Sequence, residues 1–358
     1  MSVGIIAAGC SFPSGPTLAL ADIAVRTQFS LTRQHPFVVD RCDKPVKASY
    51  FPQHELTFDI SRWQVIADNA VEDALLSAGE YAALPSRLWL ILPPAERPGV
   101  PLTLASALTA SISLRLPDCL QIVVLRGGHA EAGNAILQIR QLQTQDRALT
   151  IDIVVAVESW LPPETLMWLE DQHLLHNSHS FYKGEARSNP YGRIPSEGAA
   201  VLILVQEKSL PCWCHLQGIS TGQERVLRDD DQPCLALGLS GAAQAAIKLA
   251  NTNAVSHLFT DVNGEIYRFD EYGFTLSRLS GVLRDNFQRV APVLASGDLG
   301  CASLITHLAL AAWQLKAETE TGTETGILVL SSSDDHQRCA VVLKPLIQGV
   351  EKHDNHQY

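Results

Sequence analysis

Five consecutive apolar residues, Ile153-Val154-Val155-Ala156-Val157, leave one stretch of this chain without a polar face. A strand with that pattern must be covered on both sides, as in a parallel sheet held between helix layers. Similar short, β-branched runs occur at 3–8, 88–92, 121–125, 199–205, 257–261, 326–330 and 340–343. Longer stretches separate them, at 63–77, 102–114, 130–143, 163–171, 234–249, 270–286 and 301–316. Their apolar residues recur at i, i+3 and i+4, the spacing of an amphipathic helix. The alternation predicts an α/β fold with largely parallel strands.

Two halves are visible. The first, 1–205, closes on Ala199-Ala200-Val201-Leu202-Ile203-Leu204-Val205; a short bridge follows at 206–211, and a new strand starts near Trp213. The second half, 206–348, ends on Val341-Val342-Leu343-Lys344, and 349–358 is a polar tail expected to fray. Prolines and mixed charges between 31 and 56 predict an irregular excursion over the surface. The Thr- and Glu-rich stretch 316–326 reads as a solvated loop.

At 358 residues, 46% hydrophobic and 18% charged, the chain can bury a large core. Its net charge of −11 and lack of a Lys/Arg run argue against nucleic acid or an anionic membrane surface as a partner. The apolar runs are too short to span a bilayer. The apolar start, 1–9, has no basic leader and reads as a first strand, so a cytoplasmic protein is expected. Eight scattered cysteines fit reduced thiols. Cys212-Trp213-Cys214-His215 lacks a second ligand pair at zinc-site spacing. His173, His176 and His179 recur at three-residue intervals in a loop-like region. Neither pattern makes a metal site, and no metal or cofactor is expected.

The chemistry-bearing stretch is Gly128-His129-Ala130-Glu131-Ala132-Gly133-Asn134-Ala135-Ile136. It follows a strand-like run and opens a helix-like one, so His129 sits at a strand-to-helix elbow. Three further phrases stand in order. They are Asp152-Ile153-Val154-Val155-Ala156-Val157-Glu158-Ser159, Asn189-Pro190-Tyr191-Gly192-Arg193-Ile194-Pro195-Ser196-Glu197-Gly198-Ala199-Ala200, and Gly297-Asp298-Leu299-Gly300-Cys301-Ala302-Ser303. Together they resemble the β-ketoacyl synthase branch of the thiolase superfamily, over nearly the whole chain. The resemblance implies a thiolase-like α/β fold of two pseudo-symmetric halves, layered α-β-α-β-α, and a dimer.

The same resemblance places the family's catalytic positions on residues that do not match. Its acyl-accepting cysteine falls on His129, its first histidine near Asp261, and its second near Asp298. Its glycine-rich gate falls on Ser331-Ser332-Ser333-Asp334-Asp335, and the expected lysine has no counterpart in Val293-Leu294-Ala295-Ser296. Condensation needs a thiolate to carry the acyl chain and neutral donors for the developing oxyanion. Imidazole is a poor acyl store, and two carboxylates at Asp261 and Asp298 would face the developing negative charge.

The expectation is a pseudoenzyme without a confident catalytic residue, acting as a binding, scaffold or accessory protein. The resemblance extends to accessory factors linked to bacterial secretion-effector adaptors. Its expected partners are a second copy, a related ketosynthase, another protein or an acyl-carrier protein. The competing expectation is a 3-oxoacyl-carrier-protein synthase, acyltransferase or thioester hydrolase that uses His129 with nearby carboxylates as a base. A third is a chain-length or specificity factor that dimerises with an active ketosynthase.

Three residues have secondary readings. Glu131, two residues past His129, suits a helix start. Cys301, where a turn feeds a helix, could have an acidified thiol, or could simply pack. Arg268 could lock the Asn263-Gly264 turn through Glu265, Asp270 or Glu271.

Overall fold

The computed structural model describes residues 2–52, 57–116, 118–145, 148–207, 209–318 and 326–346. The polar tail 349–358 and most of the loop at 316–326 lie outside them. In the first half, β1 (Val3–Ser11), α1 (Leu18–Thr27) and a hairpin of β2 (Thr32–Val39) and β3 (Pro45–Ser49) precede the long helix α2 (Ile60–Ala78). Then come β4 (Ser86–Leu92), α3 (Leu104–Ser113), β5 (Cys119–Arg126), α4 (Ala132–Gln143), β6 (Ile151–Ser159) and α5 (Pro163–Asp171). A small hairpin, β7 (His179–Tyr182) and β8 (Glu185–Ser188), leads to β9 (Glu197–Gln206).

The second half runs β10 (Cys214–Gln223), α6 (Leu237–Leu249), β11 (Val255–Phe259), α7 (Ile266–Leu279) and β12 (Leu283–Val290). It continues with a single turn, α8 (Val293–Ser296), then α9 (Ser303–Glu318), β13 (Gly326–Ser332) and β14 (Gln337–Pro345).

The ten main strands hydrogen-bond in the order β12-β11-β13-β14-β10-β1-β9-β6-β4-β5. Read outward from the β1–β10 junction, each half repeats one arrangement. In the first, β4, β5 and β6 are parallel, while β9 is antiparallel to both β6 and β1. In the second, β11, β12 and β13 are parallel, while β14 is antiparallel to both β13 and β10. β1 and β10 pair antiparallel, with Val3 opposite Leu216, so the repeats meet about an approximate twofold.

Helix α9 lies at the centre. Its residues from Leu304 to Leu310 are buried on every side, Thr306 and His307 included, as expected of a helix without a solvent face. It packs on strands of both halves. Its counterpart in the first half is α4, since each follows the third strand of its repeat. The turns that open these two helices are therefore related by the approximate twofold and meet at the core.

The continuous apolar strand is as expected: all of β6 is buried. Asp152, near the start of this strand, accepts Nε and Nη2 of Arg87 at 2.7 and 2.8 Å. Asp152 also accepts Trp89 Nε1 and Gln143 Nε2, both at 2.8 Å. Every lone-pair direction of the carboxylate is used, which makes the charge tolerable there.

Two expectations fail. The stretch 270–286 is not one helix: α7 ends at Leu279, and Leu283–Val290 is the edge strand β12. An edge strand is solvated on one side, so its mixed pattern imitates a helix. The excursion at 31–56 contains the ordered hairpin β2–β3, with Thr32 opposite Ser49. His35, within β2, is 2% exposed, and its Nδ1 accepts the backbone N–H groups of Phe37 and Val38.

Replacing Asp152 by Ala removes the bidentate carboxylate partner of the buried Arg87 guanidinium. The expected loss is about 3–5 kcal/mol, as for other broken buried ion pairs. Urea unfolding of Asp152→Ala beside wild type measures it.

Candidate functional site

The elbow after β5 puts His129 at the opening of α4 with 2% of its surface exposed. Across the twofold, the turn before α9 presents Asp298. His129 Nε2 lies 2.8 Å from Asp298 Oδ1. The same oxygen accepts Gly300 N–H at 2.8 Å. Gly300 has φ +47°, and a side chain there would collide with Glu158, so glycine is required. Asp298 Oδ2 accepts Asn263 Nδ2 at 2.6 Å and lies 3.5 Å from Arg193 Nε.

The other imidazole nitrogen, Nδ1, faces Arg268 Nη2 at 3.3 Å. A guanidinium only donates, so Nδ1 accepts and the ring proton sits on Nε2, directed at Asp298. Both nitrogens are thus committed. Arg268 also donates to Asp334 Oδ1 at 2.9 Å and to the Ser332 carbonyl at 2.5 Å. Arg193 donates to Glu265 through Nε and Nη2 at 2.9 and 2.5 Å, and to Asp334 at 2.8 Å.

Asp261 stands apart from the imidazole. Its Oδ2 accepts Ser331 Oγ and the Ser332 N–H at 2.9 and 2.8 Å, with Arg268 Nη1 at 3.4 Å. Burial opposes ionisation of Asp298, but His129 and Arg193 outweigh it and hold its carboxyl well below the usual range. Burial likewise opposes ionisation of Asp334, and Arg193 and Arg268 draw it well below.

Asp261 and Asp298 therefore do not face a ligand as free charges. They are neutralised by two arginines, neither of which was connected to the site from sequence. Arg193 lies in the Asn189–Ala200 phrase, four residues before β9. The only signal was an arginine inside a turn-forming segment rich in Pro and Gly. Arg268 was expected to lock its own turn through Glu265, Asp270 or Glu271. Instead Arg193 holds Glu265, and Glu271 pairs with Arg338 at 2.5 Å.

A cavity of about 350 Å³ reaches His129. It lies at the carboxyl ends of β4, β5 and β6, where α/β sheets bind ligands. Trp160, Trp168, Arg97, Glu96 and Cys301 line it, with Asp334 and Asp335 of the β13–β14 turn; Asp261 and Asp298 do not. Arg97 is held by Glu158 at 3.1 and 2.5 Å and lies 4.1 Å from the Trp160 ring centre.

Cys301 is fully buried, and its thiol donates to the Val157 carbonyl at 3.2 Å. Burial, reinforced by Glu158, pushes this thiol well above the ordinary range. The helix start does not acidify it. Glu131 is half-buried at the opening of α4 beside Asn134, and burial raises its carboxyl. Of the three spaced histidines, His179 Nδ1 bonds Asp40 Oδ2 at 2.8 Å.

No family model matches the chain, and no curated protein sequence does. Solved structures do. The ishigamide ketosynthase/chain length factor aligns with TM-score 0.70 at 17% identity, covering 97% of this chain and 100% of that one. The ketosynthase from module 6 of the bacillaene synthase of Bacillus subtilis 168 aligns with TM-score 0.74 at 13% identity, covering 97% and 72%. This chain has the thiolase-like fold of the ketosynthases. A type II ketosynthase bound to its acyl-carrier protein and a hexaketide is similar again, with TM-score 0.74 at 13% identity over 96% of this chain.

Two measurements test the site. His307 on α9 is 3% exposed; burial lowers it to about 4, with Asp261 pulling weakly the other way. Below about pH 6.5 the unfolded chain protonates this group, and the native chain does not until about 4. Stability therefore falls as pH falls through that window, by about 3 kcal/mol for this residue. His307→Gln should flatten the pH dependence of urea unfolding there. In the native protein at pH 8, Cys301 should resist iodoacetamide, read by peptide mass mapping.

Proposed function

We propose that this protein is a ketosynthase-fold pseudoenzyme that serves as the non-condensing partner of an active ketosynthase. One observation carries the reading. The residue at the nucleophile position is an imidazole whose two nitrogens are held by Asp298 and Arg268. Acyl transfer needs a free lone pair at that point, and none is offered. Burial opposes ionisation of the nearby Cys301 thiol, which donates a hydrogen bond to the Val157 carbonyl. Where condensation would need donors, Asp334 supplies a carboxylate at the cavity wall.

The similar structures support the choice of partner. The ishigamide protein and the PfaC protein are each described as a ketosynthase with a chain length factor. The docking surface fits as well. β5 is the outer strand of the first half's sheet, and Leu120, Ile122 and Val124 on one of its faces are 61%, 44% and 40% exposed. An apolar edge strand left open is an aggregation hazard, and a partner sheet removes it.

The cavity favours a second reading, a thioester hydrolase with His129 as base. That role needs Arg268 to leave Nδ1, and its carboxylate contacts oppose the move.

The experiment has two arms. Alone, with malonyl and acyl thioesters, the protein should show no adduct at His129 or Cys301 by intact mass and no turnover. Either result in the positive ends the pseudoenzyme reading. Co-expressed with a ketosynthase of its host, it should elute as a stoichiometric complex by light scattering. Ile122→Lys should break that complex without changing the melting temperature. If the complex survives with Ile122→Lys, the β5 edge is not the docking surface.

A further inference from the structure

A second cluster of chemistry-bearing side chains lies in the other half, away from His129. Glu224 follows the end of β10, Cys234 precedes α6, and Glu271 sits on α7. One ligand atom from each lies within 4.8 Å of the other two. Glu224 is 3%, Cys234 9% and Glu271 0% exposed. We propose that these three residues bind a divalent cation of zinc type, and that the ion fastens the 224–236 segment to α7.

The donors are held in place by their surroundings. The Glu224 backbone N–H donates to the His336 carbonyl at 2.7 Å, and His336 Nδ1 lies 2.7 Å from the Glu224 carbonyl. Glu224 Oε2 accepts Gly238 N–H at 2.8 Å, at the first turn of α6, and Oε1 accepts Arg225 N–H at 3.1 Å. Cys234 Sγ accepts Ala236 N–H at 3.4 Å, a contact that favours a metal-bound thiolate. On Glu271, Arg338 Nε takes Oε1 at 2.5 Å. The other oxygen, Oε2, is buried without a hydrogen-bond partner among the described residues. A buried carboxylate oxygen in that state is costly, and a cation beside it removes the cost.

The donor set selects the ion. One sulfur with two carboxylates suits a borderline metal such as Zn²⁺, whereas Ca²⁺ and Mg²⁺ prefer oxygen alone. Bond lengths of about 2.0–2.3 Å put tetrahedral ligands about 3.3–3.7 Å apart, so small side-chain shifts close the site. Binding takes the Cys234 proton: thiol and M²⁺ give a metal–thiolate and H⁺. Burial and the two glutamates push that thiol up when no ion is bound. With the thiolate formed, Glu224, Glu271 and Cys234 balance Arg338 and the ion, and the site closes neutral.

The test uses the full chain, stripped with chelator and then given Zn²⁺ or Co²⁺ alone. One equivalent of zinc should survive gel filtration, and the melting temperature should rise. The cobalt form should show a near-ultraviolet thiolate-to-metal absorption. Cys234→Ser, close to isosteric, should lose that band and weaken zinc binding by at least about 10-fold. Glu271→Gln should weaken binding comparably while the metal-free protein still unfolds cooperatively. Failure to retain zinc at one equivalent overturns the proposal. So does a cobalt band that persists in Cys234→Ser, since another cysteine would then be the ligand.

Discussion

The Arg193 guanidinium, fully buried, holds Glu265 and Asp334 and lies against Asp298. Those carboxylates come from three separate segments of the second half, while Arg193 belongs to the first. A buried charge is stable only with its partners in place, so the halves cannot separate or slide here without exposing an uncompensated ion. Arg268 repeats the arrangement from the second half, reaching His129 of the first. The two arginines and their carboxylates form an ionic clasp across the approximate twofold.

Within that clasp the residues of the site depend on one another. An imidazole at the opening of α4 needs an acceptor for its N–H, and Asp298 is that acceptor. Asp298 is then a buried carboxylate and needs cations, which Arg193 and Arg268 supply. Their remaining N–H groups require Glu265 and Asp334. Each residue is tolerable because the next is present, and a single substitution in the cluster would leave a charge stranded.

The fold was legible where burial dictates pattern. The continuous apolar run of β6 has no other way to exist in water and stands where expected; the helix expected at 301–316 also forms, but its burial on every side was not expected. Strand β12 was misread because it lies at an edge and alternates irregularly. The positions of His129 and Asp298 were legible because strand-to-helix turns carry recognisable glycines. Their electrostatics were not. Arg193 and Arg268 act on residues far off in sequence, and one sequence does not say which carboxylate an arginine meets. Reading Asp261 and Asp298 as bare charges followed from that blindness.

The cavity beside His129 is a weaker argument for catalysis than its position suggests. A crevice at the carboxyl ends of parallel strands follows from the topology, whatever the side chains do. Chemistry there depends on which lone pairs and protons are free. His129 has spent both nitrogens, Cys301 keeps its proton, and Asp334 meets the cavity as an anion, 37% exposed, with its charge drawn toward two arginines. An oxyanion forming in this space would compete with carboxylates already seated on the available donors. Freeing the Nδ1 lone pair of His129 requires Arg268 to move, and its bonds to Asp334 and the Ser332 carbonyl oppose that motion.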